Sequence, residues 1–265
     1  MTINRIHPNA RLGAHVVVED FSTIAEHVEI GEGSHIGPNV TICDYVKLGK
    51  NCQVFPGAVI GGIPQDLKFQ GEITHVEVGD NVTLRECVTI NRGTTASGKG
   101  VTRVGDNCLL MAYVHIAHDC RIGNNVVLVN AVGVAGEAEI DDYAIVGGLS
   151  GVHQFTKIGA HVMLSGGSMI SKDVPPYVLA GHRPLVYGGI NFVGLRRRGY
   201  TMEQMNLIRE IYRIIYKSGF NTAEGCDKVE AAFSPSPERD MILNFIRSSK
   251  RGIIRAKTSN EQIDE

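Results

Sequence analysis

Tryptophan is absent from these 265 residues, and aromatic residues amount to only 6%. Strong helix formers are scarce over the first three quarters of the chain, where glycine is frequent. That balance does not suit a helix-built fold there. No apolar run approaches the roughly 18 residues needed to cross a bilayer. The N-terminus, MTINRIHPNA, lacks the apolar core of a signal peptide, so a cytoplasmic protein with no transmembrane segment is expected. A net charge of −2 gives no overall pull toward nucleic acid or membrane. The six cysteines form neither a CxxC pair nor a disulfide framework.

What is present is a six-residue rhythm. Ile6, Leu12, Val18, Ile24, Ile30, Ile36, Ile42, Leu48, Val54 and Ile60 are all aliphatic, and the register returns at Val78, Leu84 and Ile90. After a two-residue phase shift it runs without a break from Val104 through Ile116, Ile122 and Val134 to Ile170. Such a rule suits a solenoid, in which each turn stacks on a like neighbour. Within a hexad the aliphatic is often followed by Gly, then two polar residues, then a small residue or Val, as in IGEGSH (30–35) and IGNNVV (122–127). The aliphatic and the small residue two before it share one strand face, and both should point inward. The polar pair suits a tight corner that tolerates positive φ. Cys52, Cys108 and Cys120 occupy the small slot and should behave as buried apolar residues.

This pattern resembles the hexapeptide-repeat proteins. The resemblance implies a mainly β fold, a left-handed parallel β-helix, with three hexads per coil. Residues 18 apart would then stack about 4.8 Å from one another, as neighbouring strands do. Residues 1–190 are assigned to this helix and 191–265 to a C-terminal helical domain. Two interruptions, near 61–77 and 91–103, read as loop excursions, and loops on a rigid scaffold commonly carry function. The hexads end near DVPPY (173–177), and a linker should follow. Thr201 with Gln204 signals a capping box, and Met205, Ile208, Ile211, Tyr212 and Ile215 recur at helical spacing. Further helices should start at Asn221 or Thr222 and at Ser236, with Pro237 in its first turn.

Multiplied by three, the rhythm becomes a ruler. His118 lies under Gly136, which lies under Gln154. Beside them run the columns Asp119–Glu137–Phe155 and Ala117–Ala135–His153. A histidine supported by a carboxylate suits a general base. A glycine lets a carbonyl oxygen approach its backbone N–H. Base and oxyanion donor one coil apart would suit acyl transfer to a hydroxyl, although solenoid corners also hold His and Gly simply because they are exposed. HxxH, with His115, His118 and a possible third ligand in His153, also admits zinc. His115 sits in the outward slot and His118 at the corner, so the two need not converge, and no metal site is assigned.

QDLKF (65–69), NRGT (91–94), HIAHDC (115–120), VHQF (152–155), DVPPY (173–177) and GLRRRG (194–199) resemble, in order and spacing, the UDP-N-acetylglucosamine acyltransferase family of lipid A synthesis. The resemblance implies His118 as general base, Asp119 as its support and the Gly136 N–H as oxyanion donor. It places Asp66, Lys68, His115, His153 and Gln154 in the substrate cleft, and Asn191, Arg197 and Arg198 toward the UDP group, where arginine suits phosphate. It implies a 3-hydroxyacyl donor on acyl carrier protein, transfer to the sugar 3-hydroxyl, no cofactor, and a homotrimer with clefts between subunits.

The column Asn130–Gly148–Gly166 matches the family's acyl-chain pocket, and Gly166 there implies a long donor. Glu137 and Asn91 stand where well-known members have histidine. Glu137 stacked over Asp119 should move the activity optimum to more alkaline pH. Asp66 with Lys68 also reads as a solvated loop pair, Gly166 as a turn residue, and Arg196–Arg198 as an exposed helix start. With Arg247, Lys250, Arg251 and Arg255, that run could form a basic surface for the acidic carrier. Three alternatives stand beside this assignment. One is a related hexapeptide N-acyltransferase, for whose extra N-terminal domain hexads starting at Ile6 leave no room. The others are a zinc hydratase and a non-enzymatic solenoid scaffold.

Overall fold

The computed structural model describes residues 3–217 and 219–256; the end of the expected helical domain, 257–265, lies outside the described residues. Among the described residues, short strands, mostly of two residues, return every third strand to one of three sheets of nine, eight and eleven strands, parallel throughout the coils. These sheets, here A, B and C, form the three faces of a left-handed parallel β-helix. The ladder confirms the ruler: His115 pairs with Gly133 and Arg121 with Glu139, 18 residues apart.

Hexad chemistry explains the coil. The aliphatic slot and the small slot both bury their side chains, as Ile116, Cys120 and Ile122 show. Each such aliphatic contributes about 1.5–3 kcal/mol of transfer free energy. Cys52, Cys108 and Cys120 sit in this core, where burial pushes the Cys108 thiol up to about 11 and the Cys120 thiol up to about 12. Three residues after the aliphatic the chain turns through the left-handed region, at Asn81, Asn107, Asp119 and Asn125 among many others. Gly31, Gly49, Gly79, Gly105 and Gly123 form a column in which any Cβ would run into the next coil, and this sets how closely coils approach. The edge between sheets B and C satisfies its own corners. Lys50 N–H donates to Asp80 (2.7 Å), Asp80 N–H to Asp106 (2.8 Å), and Asp106 N–H to Asn124 (2.8 Å).

The excursions have defined lengths. Across the first, partners such as Val59 and Thr89 are 30 apart, so twelve residues are added, two whole hexads, and the phase survives. Across the second, Thr89 pairs with His115, 26 apart. Eight residues are added, one hexad plus two, which accounts for the phase shift.

The faces differ. On sheet B the outward residues Arg11, Glu29, Lys47, Glu77 and Arg103 alternate in sign between neighbours, and Arg103 pairs with Glu77 at 2.7 Å. Such exposed pairs contribute about 0–1 kcal/mol each. On sheet A, beyond His115, the outward positions are Gly133, Gly151 and then Met169.

The end of the solenoid departs from expectation. Residues 178–190 are not a linker. Val178–Gly181 adds to sheet C, and Val186–Ile190 turns back antiparallel to it. The two prolines of DVPPY interrupt the hexad without ending the sheet. A short helix, α1 (Phe192–Arg197), follows, so Arg196 and Arg197 lie in a last helical turn, where they complement the helix dipole, and not at a helix start. Helices α2 (Met202–Lys217), α3 (Thr222–Ala232) and α4 (Pro237–Ser248) begin at the expected caps. Met205, Ile208, Ile211, Tyr212 and Ile215 are buried as the spacing predicts. Ser249 Oγ donates to the Asp173 carboxylate (2.6 Å), tying the tail to the last coil. Toward the other end, Ile6 and Leu12 are 36% and 38% exposed among the described residues, against 1% for Ile24.

His161 joins helix and solenoid, stacked between Tyr143 and Tyr177. Burial, and then the nearby Arg198, lower its pKa to about 4. The folded protein therefore resists protonation that the unfolded chain accepts below about 6.5, and stability should fall as pH drops from 6.5 toward 4. His161→Phe should flatten this part of the Tm–pH curve. A variant curve parallel to wild type would show that another group controls it.

Candidate active site

His118 stands at the edge between sheets A and B, between the strands His115–Ile116 and Arg121–Ile122. Its side chain is about one-tenth exposed and that of Asp119 is fully buried. Nδ1 lies 2.9 Å from Asp119 Oδ2. An ionised carboxylate only accepts hydrogen bonds, so Nδ1 carries the proton and the neutral ring keeps Nε2 free as a base. Nε2 lies 3.7 Å from Asp66 Oδ2, which would stabilise the ring once protonated.

Asp119 is held from below by the second excursion. Thr94 N–H lies 3.0 Å from both carboxylate oxygens, and Thr94 Oγ1–H donates to Oδ2 at 2.7 Å. Asp119 N–H donates to Thr102 Oγ1 (2.8 Å). Gly93 permits this approach, because a Cβ there would strike the Val101 backbone and the Asp119 carboxylate. Sequence reasoning gave Gly93, Thr94 and Thr102 no role. The signal was the NRGT run, which lies one coil beneath Asp119 once the eight-residue insertion is counted.

Gly136 lies over the imidazole as the ruler requires, and a Cβ there would run into the His118 ring. Its N–H has no hydrogen-bond partner among the described residues. The equivalent amides on the B–C edge donate to Asp carboxylates at 2.7–2.8 Å, so an amide in this slot is placed to grip an oxyanion. Glu137 N–H donates to the His118 carbonyl (2.9 Å), which fixes Glu137 above Asp119. Asp119's carboxylate bonds, however, go to Thr94 and His118. The expected alkaline shift therefore has no direct contact between the two carboxylates behind it.

The other expected residues fall into separate groups. His115 is on the sheet A face with Nδ1 2.7 Å from Thr89 Oγ1, and burial lowers its pKa. His153 is exposed with Nδ1 against the Gln154 carbonyl (3.0 Å), and Gln154 stacks above Gly136. Lys68 is exposed, its N–H donating to Asp66 (3.0 Å). Asn91 is buried, and its Oδ1 has no hydrogen-bond partner among the described residues. No three His, Cys, Asp or Glu among the described residues are grouped to hold a metal.

Asn191 and Arg198 are not at the His118 edge. Asn191 caps α1, accepting from Gly194 N–H (3.1 Å) and donating to the His161 carbonyl (2.8 Å). Arg198 donates to the Tyr143 carbonyl (3.0 Å). Both contacts lie on the B–C edge, across the charged face from His118, while Arg197 is exposed nearby. Gly148 and Gly166 stack on the remaining edge, where a Cβ on Gly166 would lie 3.1 Å from the Gly148 carbonyl. Only the sheet A face separates that edge from His118. Of the basic residues on the tail, Arg247 is already paired with Glu230 (2.6 Å) and Asp227 (3.3 Å).

The coils and this edge define a hexapeptide-repeat transferase. The bacterial transferase hexapeptide family (six repeats) matches residues 5–44, 27–62 and 102–136, and the second domain of the UDP-N-acetylglucosamine O-acyltransferases matches 173–254. The UDP-N-acetylglucosamine acyltransferase of Bacteroides fragilis is 49% identical over 96% of this chain and 99% of its own, with a TM-score of 0.94. That of Francisella novicida is 38% identical over 98% and 94%, TM-score 0.94. That of Arabidopsis is 31% identical over 96% and 99%, TM-score 0.83. The chain belongs to the UDP-N-acetylglucosamine O-acyltransferase family. No helix among the described residues is long and apolar enough to cross a membrane.

The Thr94 hydroxyl donates to a fully buried carboxylate, so Thr94→Val should cost about 1–3 kcal/mol in urea unfolding. A cost below about 0.5 kcal/mol would mean that the hydroxyl contributes little.

Proposed function

We propose that the chain transfers a 3-hydroxyacyl group from acyl carrier protein to the 3-hydroxyl of UDP-N-acetylglucosamine, the first step of lipid A synthesis, in the cytoplasm and without a cofactor. One observation carries the mechanism: a buried imidazole with Nδ1 tied to Asp119 and Nε2 open beneath the unpaired N–H of Gly136. Nε2 takes the proton of the sugar hydroxyl as its oxygen attacks the thioester carbon. The Gly136 N–H holds the resulting oxyanion. Collapse breaks the carbon–sulfur bond, and the imidazolium returns the proton to the leaving thiolate. Asp119 fixes the tautomer, and Asp66 steadies the transient positive charge.

A route for the acyl chain along the same face fits this reading. Gly133 leaves the surface of sheet A open beside His118, and the flexible Met169 side chain lies over Gly151 toward the Gly148–Gly166 column. Gly166→Met would then favour shorter donors. Purified protein should acylate UDP-N-acetylglucosamine from 3-hydroxyacyl carriers of several lengths, and His118→Ala should lose about a thousandfold or more in turnover. A His118→Ala enzyme within a few-fold of wild type would leave the solenoid scaffold as the better account.

The separation of His118 from Asn191, Arg197 and Arg198 favours a homotrimer in which neighbouring chains complete each site. Sedimentation should give three times the 28.7 kDa chain mass. Trimers mixed from His118→Ala and Arg197→Ala chains should recover activity that neither has alone, because some sites then draw both intact residues. No recovery would place the sites within single chains.

A further inference from the structure

We infer that Glu72, a residue of the first excursion, is a positioning residue that binds the two excursions into one frame around His118. Glu72 Oε1 accepts from both the N–H and the hydroxyl of Thr95, each at 3.1 Å, and Glu72 Oε2 accepts from Gln70 N–H at 2.8 Å. These bonds join the loop that carries Asp66 to the loop that carries Thr94. The contacts close a circuit. From His118 Nδ1 the path runs to Asp119, then Thr94, then its neighbour Thr95. Glu72 carries it across to Gln70. Phe69 N–H donates to the Asp66 carbonyl (3.0 Å), and Lys68 N–H to the Asp66 carboxylate (3.0 Å). Asp66 returns the path to His118 Nε2 at 3.7 Å.

Besides these hydrogen bonds, the two excursions meet where the Arg92 guanidinium lies 5.8 Å over the Phe69 ring, a contact that makes no bond to the backbone at Thr95 or Gln70. Each coil is positioned by its ladder with the coils on either side, and residues 63–74 and 92–100 lie outside the strands. Asp66 is held opposite Nε2 by bonds within its own loop, and the loop needs an anchor on something fixed. Thr95 is such an anchor, because Thr94 beside it is locked to the buried Asp119. Those hydrogen bonds, the Thr95 N–H first, hold the Glu72 carboxyl down at about 2, so it remains an ionised acceptor across the working range of pH.

This assignment rests on the acyl-transfer function for its kinetic readout but not for its structural one. In the protein alone, Glu72→Ala should lose hydrogen-exchange protection at the amides of Thr95 and Gln70. In turnover, it should lower kcat/KM for the sugar nucleotide about tenfold through a raised KM, with the KM for the acyl carrier unchanged, because Asp66 faces Nε2, the nitrogen that takes the acceptor's proton in the proposed mechanism. Glu72→Gln, whose carbonyl can still accept from Thr95, should recover most of that loss. A merely structural residue would reduce the active fraction and leave both KM values alone. Unchanged exchange at Thr95, or an alanine variant with the wild-type KM for the sugar nucleotide, would overturn the assignment. A wild-type protein inert toward the sugar nucleotide, with exchange changed as expected, would count against the proposed function and not against the tie.

Discussion

The ladder of backbone hydrogen bonds between successive coils is the constraint on which the rest depends. Each coil finds its place because its amides bond to the carbonyls of the coil above, so a residue is located by its neighbours one turn away. This is why a glycine can sit over an imidazole with no side chain to guide it there. It is also why apolar side chains no larger than isoleucine or leucine fill most of the interior: identical slots recur at one fixed spacing, and a large ring has no slot to enter. The larger rings are used where stacking stops. Tyr177, Tyr187 and Tyr212 gather where helices close over the last strands.

Polar groups are hard to take out of water and hold still at the corners of a solenoid, its wettest part. Two devices do so around His118. The second excursion wraps Asp119 from below, so a carboxylate at a corner becomes fully buried. The first excursion brings Asp66 over the other side of the ring. The scaffold supplies Gly136 and the loops supply the charges. Neither alone gives the arrangement around the imidazole.

What was legible in the sequence follows the same division. The column of His118, Gly136 and Gln154 could be read by counting, because position in a coil is periodic. The starts of α2, α3 and α4 could be read from their capping residues. Thr94 and Glu72 could not, because their positions depend on loop conformation. The strand pair 178–190 was hidden by the prolines before it, which break the hexad but leave the sheet edge free to accept another strand. A six-residue helix such as α1 is too short to show a period. Arg198 lies in the GLRRRG run, and Asn191 was assigned with it by resemblance, yet their contacts lie on a different edge from His118. A motif gives order along the chain, whereas the edge on which a residue emerges depends on how the chain leaves the last coil.

The lengths of the two excursions have a consequence of their own. One adds a whole number of hexads and the other does not, yet the coils on either side pair equally well. The phase of the repeat is thus not handed from coil to coil along the chain; it is re-established wherever a loop delivers the strand back to the face. Loop length is in that sense a free coordinate. Segments could be exchanged, lengthened or trimmed at these two points without retuning the hexads that follow, provided that the returning strand meets its ladder. The prism behaves as a rail to which interchangeable chemical fittings attach.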